Sequence, residues 1–136
     1  MKKKFLIVGL ALLALVIASI TAIQSGSEAE TPENKSSEIT PTVVMPIKSS
    51  RPGCEEKDRC YIPSQVSIKS GESVTWLNED AAFHSVTSGT NENPTGLFDS
   101  GYLDPNEPFT IKFDESGTFD YFCTLHPWMK GKVAVE

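Results

Sequence analysis

Phe119-Asp120-Tyr121-Phe122-Cys123-Thr124-Leu125-His126-Pro127-Trp128-Met129 begins as a strand and ends as a set of metal donors. Phe119, Tyr121 and Cys123 fall on one face of a period-two pattern, as in a half-buried strand. A thiol, an imidazole and a thioether then follow at even spacing, Cys123-x2-His126-x2-Met129. The other histidine in the chain is His84, well upstream. Two imidazole nitrogens and a thiolate, with a thioether on the axis, are the donors of a type 1 copper centre. Soft sulfur favours Cu(I), while imidazole suits both oxidation states. Taken singly, a strand-end cysteine is a small hydrophobe and a loop methionine is packing. Taken together, His84, Cys123, His126 and Met129 supply the donor list with nothing left over.

Outward from this stretch the chain reads as short strands with polar turns. Val133 and Val135 mark a last strand. Phe109, Ile111 and Phe113 alternate ahead of the turn Asp114-Glu115-Ser116-Gly117. Further upstream Val74 and Trp76 share a face opposite Ser73, Thr75 and Leu77, and Val66 and Ile68 alternate before Lys69-Ser70-Gly71-Glu72 turns the chain. Val43-Val44-Met45-Pro46-Ile47 is a first strand whose proline suits a sheet edge. No stretch of helical period competes, so the pattern predicts an all-β fold, a Greek-key two-sheet β-sandwich over residues 43–136. Residues 78–103, rich in Asn, Gly, Ser and Asp, contain His84, and the one strand expected there lies around His84-Ser85-Val86-Thr87.

The ends of the chain set its compartment. Met1-Lys2-Lys3-Lys4 precedes an apolar run over residues 5–23, the basic and apolar regions of an export signal. The run is also close to the length of about 20 residues that spans a bilayer, so it serves as either a cleaved signal peptide or an N-terminal membrane anchor. Both readings place the rest of the chain outside the cytoplasm: on the outer face of the membrane, in a periplasm or in the medium. Residues 24–42 turn to Ser, Glu, Thr and Pro, too poor in apolar side chains to offset ordering entropy, and read as a flexible linker. Asn34-Lys35-Ser36 within it matches a glycosylation acceptor pattern, as short motifs often do by chance.

The formal charge of the full chain is -6. An acidic protein repels nucleic acid and is steered toward basic partner surfaces, or simply kept soluble. Three cysteines leave one over after pairing. Cys54 and Cys60 flank the charged, solvated segment Glu55-Glu56-Lys57-Asp58-Arg59, and an oxidising compartment favours a disulfide between them, worth about 2 kcal/mol on the chain-entropy model. The competing reading, a second metal site, has no histidine beside it in sequence. Cys123 remains as the free thiol.

From about Val43 to Glu136 the chain resembles the cupredoxins, the small type 1 blue copper proteins of plastocyanin, amicyanin and halocyanin type. The resemblance rests on the stretch Phe119 to Met129, the trailing Lys130-Gly131-Lys132-Val133-Ala134-Val135, and Val74-Thr75-Trp76-Leu77-Asn78 leading to His84. It implies one copper ion held by the His84 and His126 imidazoles, the Cys123 thiolate and an axial Met129, and a hydrogen bond from the Ser85 backbone N-H to the Cys123 sulfur. It further implies that His126 is the ligand nearest the surface and the exit for the electron, within an apolar patch for which Phe83, Pro127 and Trp128 are candidates, with Ala81 and Ala82 nearby. Trp128 departs from relatives with smaller residues at the loop tip.

The expected function is therefore an extracytoplasmic one-electron carrier, a monomer that docks transiently with redox partners near His126. The alternative is copper delivery or storage, which more often uses methionine-rich or histidine-rich exposed tracts than the few methionines here. An enzyme would need an open coordination position or a second metal centre, and two histidines are too few to build one. A binuclear purple site would need another cysteine close to Cys123.

Overall fold

A computed structural model of the protein describes residues 40–136. The expected signal peptide or membrane anchor at 1–23, most of the expected linker 24–42 and Asn34 lie outside the described residues. Eight strands are present among them: β1 (Val43–Met45), β2 (Gln65–Ile68), β3 (Ser73–Asn78), β4 (Thr87–Gly89), β5 (Pro94–Asp99), β6 (Pro108–Lys112), β7 (Gly117–Phe122) and β8 (Lys130–Val135). A single 3-10 turn, Glu55–Lys57, interrupts the β1–β2 connection.

The strands form two sheets, β1-β3-β6 and β2-β8-β7-β4-β5. β1 runs parallel to β3 and β2 parallel to β8, while the other pairs are antiparallel. Only β4–β5 and β7–β8 are consecutive strands paired in one sheet, so the chain crosses between sheets at every other connection, the habit of a Greek-key sandwich. β1, a sheet-edge strand, ends at Met45 just before Pro46, where a missing N-H costs no ladder bond.

Alternation fills the space between the sheets. Val43, Met45, Val74, Trp76, Tyr121, Val133 and Val135 are all buried. Trp76 sits at the centre, its ring 5.2 Å from that of Tyr121, 6.0 Å from Phe109 and 6.2 Å from Phe98. Edge-to-face geometry, as between Trp76 and Tyr121, places the electropositive ring edge on the partner's π face. Tyr121 pairs across the β7–β8 ladder with Gly131, and its ring lies over that glycine where any Cβ would sit.

The strand expected around His84 is displaced. His84 makes only an isolated bridge with Leu103, and β4 begins at Thr87. The cause is where the backbone donors go: the Ser85 N-H faces the Cys123 sulfur and the Val86 N-H donates to Ser100 Oγ, so neither is free for a ladder. The stretch after it, unassigned from sequence, contains β5.

Candidate metal centre

Four segments converge at one end of the sandwich: the turn after β3, the segment leading into β4, the β7–β8 loop and the β1–β2 loop. The β7–β8 loop is tight. The Cys123 N-H donates to the Met129 carbonyl at 3.2 Å and the Met129 N-H to the His126 carbonyl at 2.8 Å, so Cys123, His126 and Met129 are held in one turn of chain. His84 is fixed from the other side by reciprocal backbone bonds with Leu103, 3.3 and 2.8 Å. Asn78, fully buried at the end of β3, shapes the intervening turn. Its amide donates to the carbonyls of Ala82 and Leu103 and its Oδ1 accepts from the Asp80 N-H.

The three donor atoms face one another. His84 Nδ1 and His126 Nδ1 are 3.2 Å apart, and Cys123 Sγ lies 3.5 Å from His126 Nδ1 and 3.9 Å from His84 Nδ1. Zinc, a first-row ion, forms bonds of about 2.0 Å to imidazole and about 2.3 Å to thiolate. At the middle of a trigonal plane, bonds of that length separate the donors by roughly 3.5–3.8 Å. The observed triangle fits, and its S and N donor set suits copper. Among the described residues Cys123 is the free cysteine. It is fully buried, as are His84 and Met129, whereas His126 is half-buried.

Surrounding contacts prepare the donors. The His84 Nε2 lies 3.1 Å from Asp80 Oδ2, so that nitrogen carries the proton and Nδ1 presents its lone pair to the centre. Asp80, also buried, accepts further bonds from the backbone N-H groups of Lys48 (2.9 Å), Ser50 (3.0 Å) and Ala81 (2.8 Å). Burial alone would push the Asp80 carboxyl up, but the Lys48 and Ser50 N-H donors, with the His84 ring, outweigh it and hold it well below the usual carboxylate range. Burial lowers the pKa of His84, against the pull of Asp80. Burial, and then the neighbouring His84, lower that of His126. Both rings are therefore neutral, as ligands must be, at neutral pH.

The Ser85 N-H points at Cys123 Sγ at 3.3 Å. Ser85 is itself tied down: its Oγ accepts from the Thr124 N-H at 2.9 Å, and its carbonyl accepts from Tyr61 Oη at 2.6 Å. Leu125 (40 %) and Pro127, which flank His126 in sequence, are exposed, as is Phe83 (54 %) beside His84. Trp128 is half-buried, its ring 5.3 Å from that of His126. Cys54 and Cys60 are bonded as a disulfide, which leaves neither sulfur a thiolate for a second site with Glu55. Sequence reasoning missed Asp80 and Ser49. Neither carried a signal of its own, since acidic residues and serines are common along the chain and only the fold shows which of them are buried.

The profile described as copper binding proteins, plastocyanin/azurin family, matches residues 50–136. Among curated relatives, amicyanin from Paracoccus versutus is 38 % identical over 76 residues, 56 % of this chain and 58 % of that protein. Amicyanin-alpha from Methylorubrum extorquens is 42 % identical over 72 residues, 53 % of this chain and 60 % of that protein. The match thus spans less than two thirds of either amicyanin. Plastocyanin from Scenedesmus fuscus is 37 % identical over 92 residues, 62 % of this chain and 94 % of that protein. Among solved structures, a novel purple cupredoxin from Nitrosopumilus maritimus superposes with a TM-score of 0.63 at 30 % identity, covering 69 % of this chain and 97 % of that one.

Proposed function

The chain belongs to the plastocyanin/azurin family of copper-binding proteins, and on that premise we propose that it is an exported one-electron carrier working outside the cytoplasm. When bound, copper supplies a one-electron couple between Cu(I) and Cu(II). Every other part of the function falls to the residues. His84, Cys123 and His126 would hold the ion, with the buried Met129 offering its thioether as a further donor. Asp80 keeps the His84 proton on Nε2. The Ser85 N-H withdraws charge from the Cys123 sulfur, which stabilises the reduced state. His126 is the exit, and Phe83, Leu125, Pro127 and Trp128 form the patch on which a redox partner docks briefly, as small electron-transfer interfaces do.

The observation that carries this reading is the donor triangle, already at coordinating separation and held by backbone bonds that owe nothing to the ion. A frame built in advance has little to rearrange when the charge changes. Export is supported by the N-terminal sequence pattern and by the disulfide.

Titrating Cu(II) into the purified chain while recording visible absorption and electron paramagnetic resonance tests the reading, with Cys123→Ser beside it. The expected result is an intense thiolate-to-copper band at one copper per chain, bleached reversibly by reductant and absent from the variant. A weak, ordinary copper spectrum that persists in Cys123→Ser would move the protein to copper delivery or storage.

A further inference from the structure

The β1–β2 connection makes an excursion over residues 46–60 that reaches the metal centre from outside its ligand segments. Its first turn is closed by the Ser49 N-H on the Pro46 carbonyl and the Arg51 N-H on the Lys48 carbonyl, with Lys48 in a left-handed conformation at φ 73°. The Cys54–Cys60 disulfide closes the second half. At the apex of the first turn Ser49 is buried, at 1 % exposure, between exposed Lys48 and exposed Arg51.

Ser49 touches the site twice. Its Oγ lies 3.3 Å from His84 Nε2, so the single proton of that nitrogen faces both Ser49 Oγ and Asp80 Oδ2. Its carbonyl accepts from Trp128 Nε1 at 3.4 Å, and Trp128 stands between His126 and Met129 in the ligand loop. The residues flanking Ser49 direct their N-H groups to the two oxygens of Asp80. Directly after the disulfide, Tyr61 bonds the carbonyl of Ser85, whose N-H faces Cys123. One stapled segment therefore holds the outer contacts of both histidine-bearing segments. The family profile begins at residue 50, so Ser49 lies outside the pattern it describes.

We infer that this disulfide-stapled loop is a positioning element of the metal centre and that Ser49 is the positioning residue through which it acts on His84 and Trp128. The inference rests on the copper reading above. The donors that the loop places on Asp80 temper the carboxylate's pull on the His84 proton. Loosening the loop frees that pull, makes the imidazole more electron-rich and favours Cu(II), so the reduction potential falls. Ser49→Ala leaves the backbone donors in place and removes only the hydroxyl beside Nε2.

The test is a spectroelectrochemical titration of the copper-loaded full chain and three variants: Ser49→Ala, Cys54→Ser with Cys60→Ser, and Glu56→Ala, which alters an exposed loop residue away from the site. All are expected to keep the intense band at one copper per chain. The cysteine pair variant should have a lowered midpoint potential and Ser49→Ala a shifted one, with Glu56→Ala unchanged. Combining Ser49→Ala with the cysteine pair should give less than the sum of the two shifts, because both bear on the single His84 Nε2 proton, one through Asp80 and one through the hydroxyl. A Ser49→Ala protein with the parent's potential and band position would overturn the inference, since the contact would then be packing alone. If the cysteine pair variant does not fold, Ser49→Ala against Glu56→Ala decides. A parent chain with no intense band would instead defeat the copper-carrier reading itself.

Discussion

Asp80 stands four residues before His84 and turns its carboxylate on the ring nitrogen that faces away from the donor triangle. Its depressed pKa and those of the two histidines have one consequence for the metal-free protein. For each imidazole the folded pKa lies below that of the unfolded chain, so the unfolded state takes up protons first as pH falls. Stability is then present above about pH 6.5 and is lost on the way down. Asp80 has the same sign: its contribution is present above about pH 3.9 and is lost as pH falls through its lower folded value. The melting temperature of the metal-free chain should therefore decline from about pH 7 to about pH 4, with a shallower slope in His126→Gln. A flat profile in the parent would contradict burial as the cause. The three facing donors, His84, Cys123 and His126, were legible in sequence because thiol and imidazole are rare side chains in this chain. Asp80 was not, because acidic residues are common in this chain and only the fold shows which one is buried.

The β4–β5 hairpin shows where reading by element fails. β5 carries Pro94, Thr95, Gly96 and Leu97 exposed, and only Phe98 points inward. Its side chains are exposed on both faces over most of its length, so the alternation that marks a half-buried strand is missing. Its register depends instead on Gly89, which has φ 98°. A Cβ there would lie 2.8 Å from the Thr95 nitrogen and 3.0 Å from the Pro94 Cα, with the Asn93 carbonyl closer still. Those are backbone atoms and cannot swing aside. Gly89→Ala should cost about 1–3 kcal/mol of unfolding free energy in urea while leaving the copper absorption band where it was. A stability equal to the parent's would show that the hairpin is not held as described. The strands β2, β3, β6 and β8 were readable by contrast, since each covers alternate side chains.

Across the whole molecule, charge and apolar surface have different tasks. A formal charge of -6 acts at long range and raises the encounter rate with cations. On the proposed carrier reading, contact then falls to exposed apolar residues such as Phe83 and Leu125. In stopped-flow mixing, the reduced protein should pass its electron to a small cationic complex faster than to an anionic one of similar potential at low salt. The gap should narrow as ionic strength rises toward about 0.15 M, where the Debye length is about 8 Å. Equal rates at low salt would mean that the field at the proposed exit, His126, differs from that of the whole chain.

By itself the sequence determined the fold class and pointed to Cys123 and His126 as facing donors beside the one other histidine, because both are written in local order: period-two alternation, turn residues between strands, and Cys-x2-His where a strand ends. Tertiary structure alone decided what surrounds the donors. Ser49, Asp80 and Tyr61 come from separate stretches, and their spacing along the chain carries no trace of their meeting. They touch the site only because the sandwich brings the β1–β2 and β3–β4 connections to the same end as the ligand loop, where buried polar groups must find partners among whatever the fold places beside them.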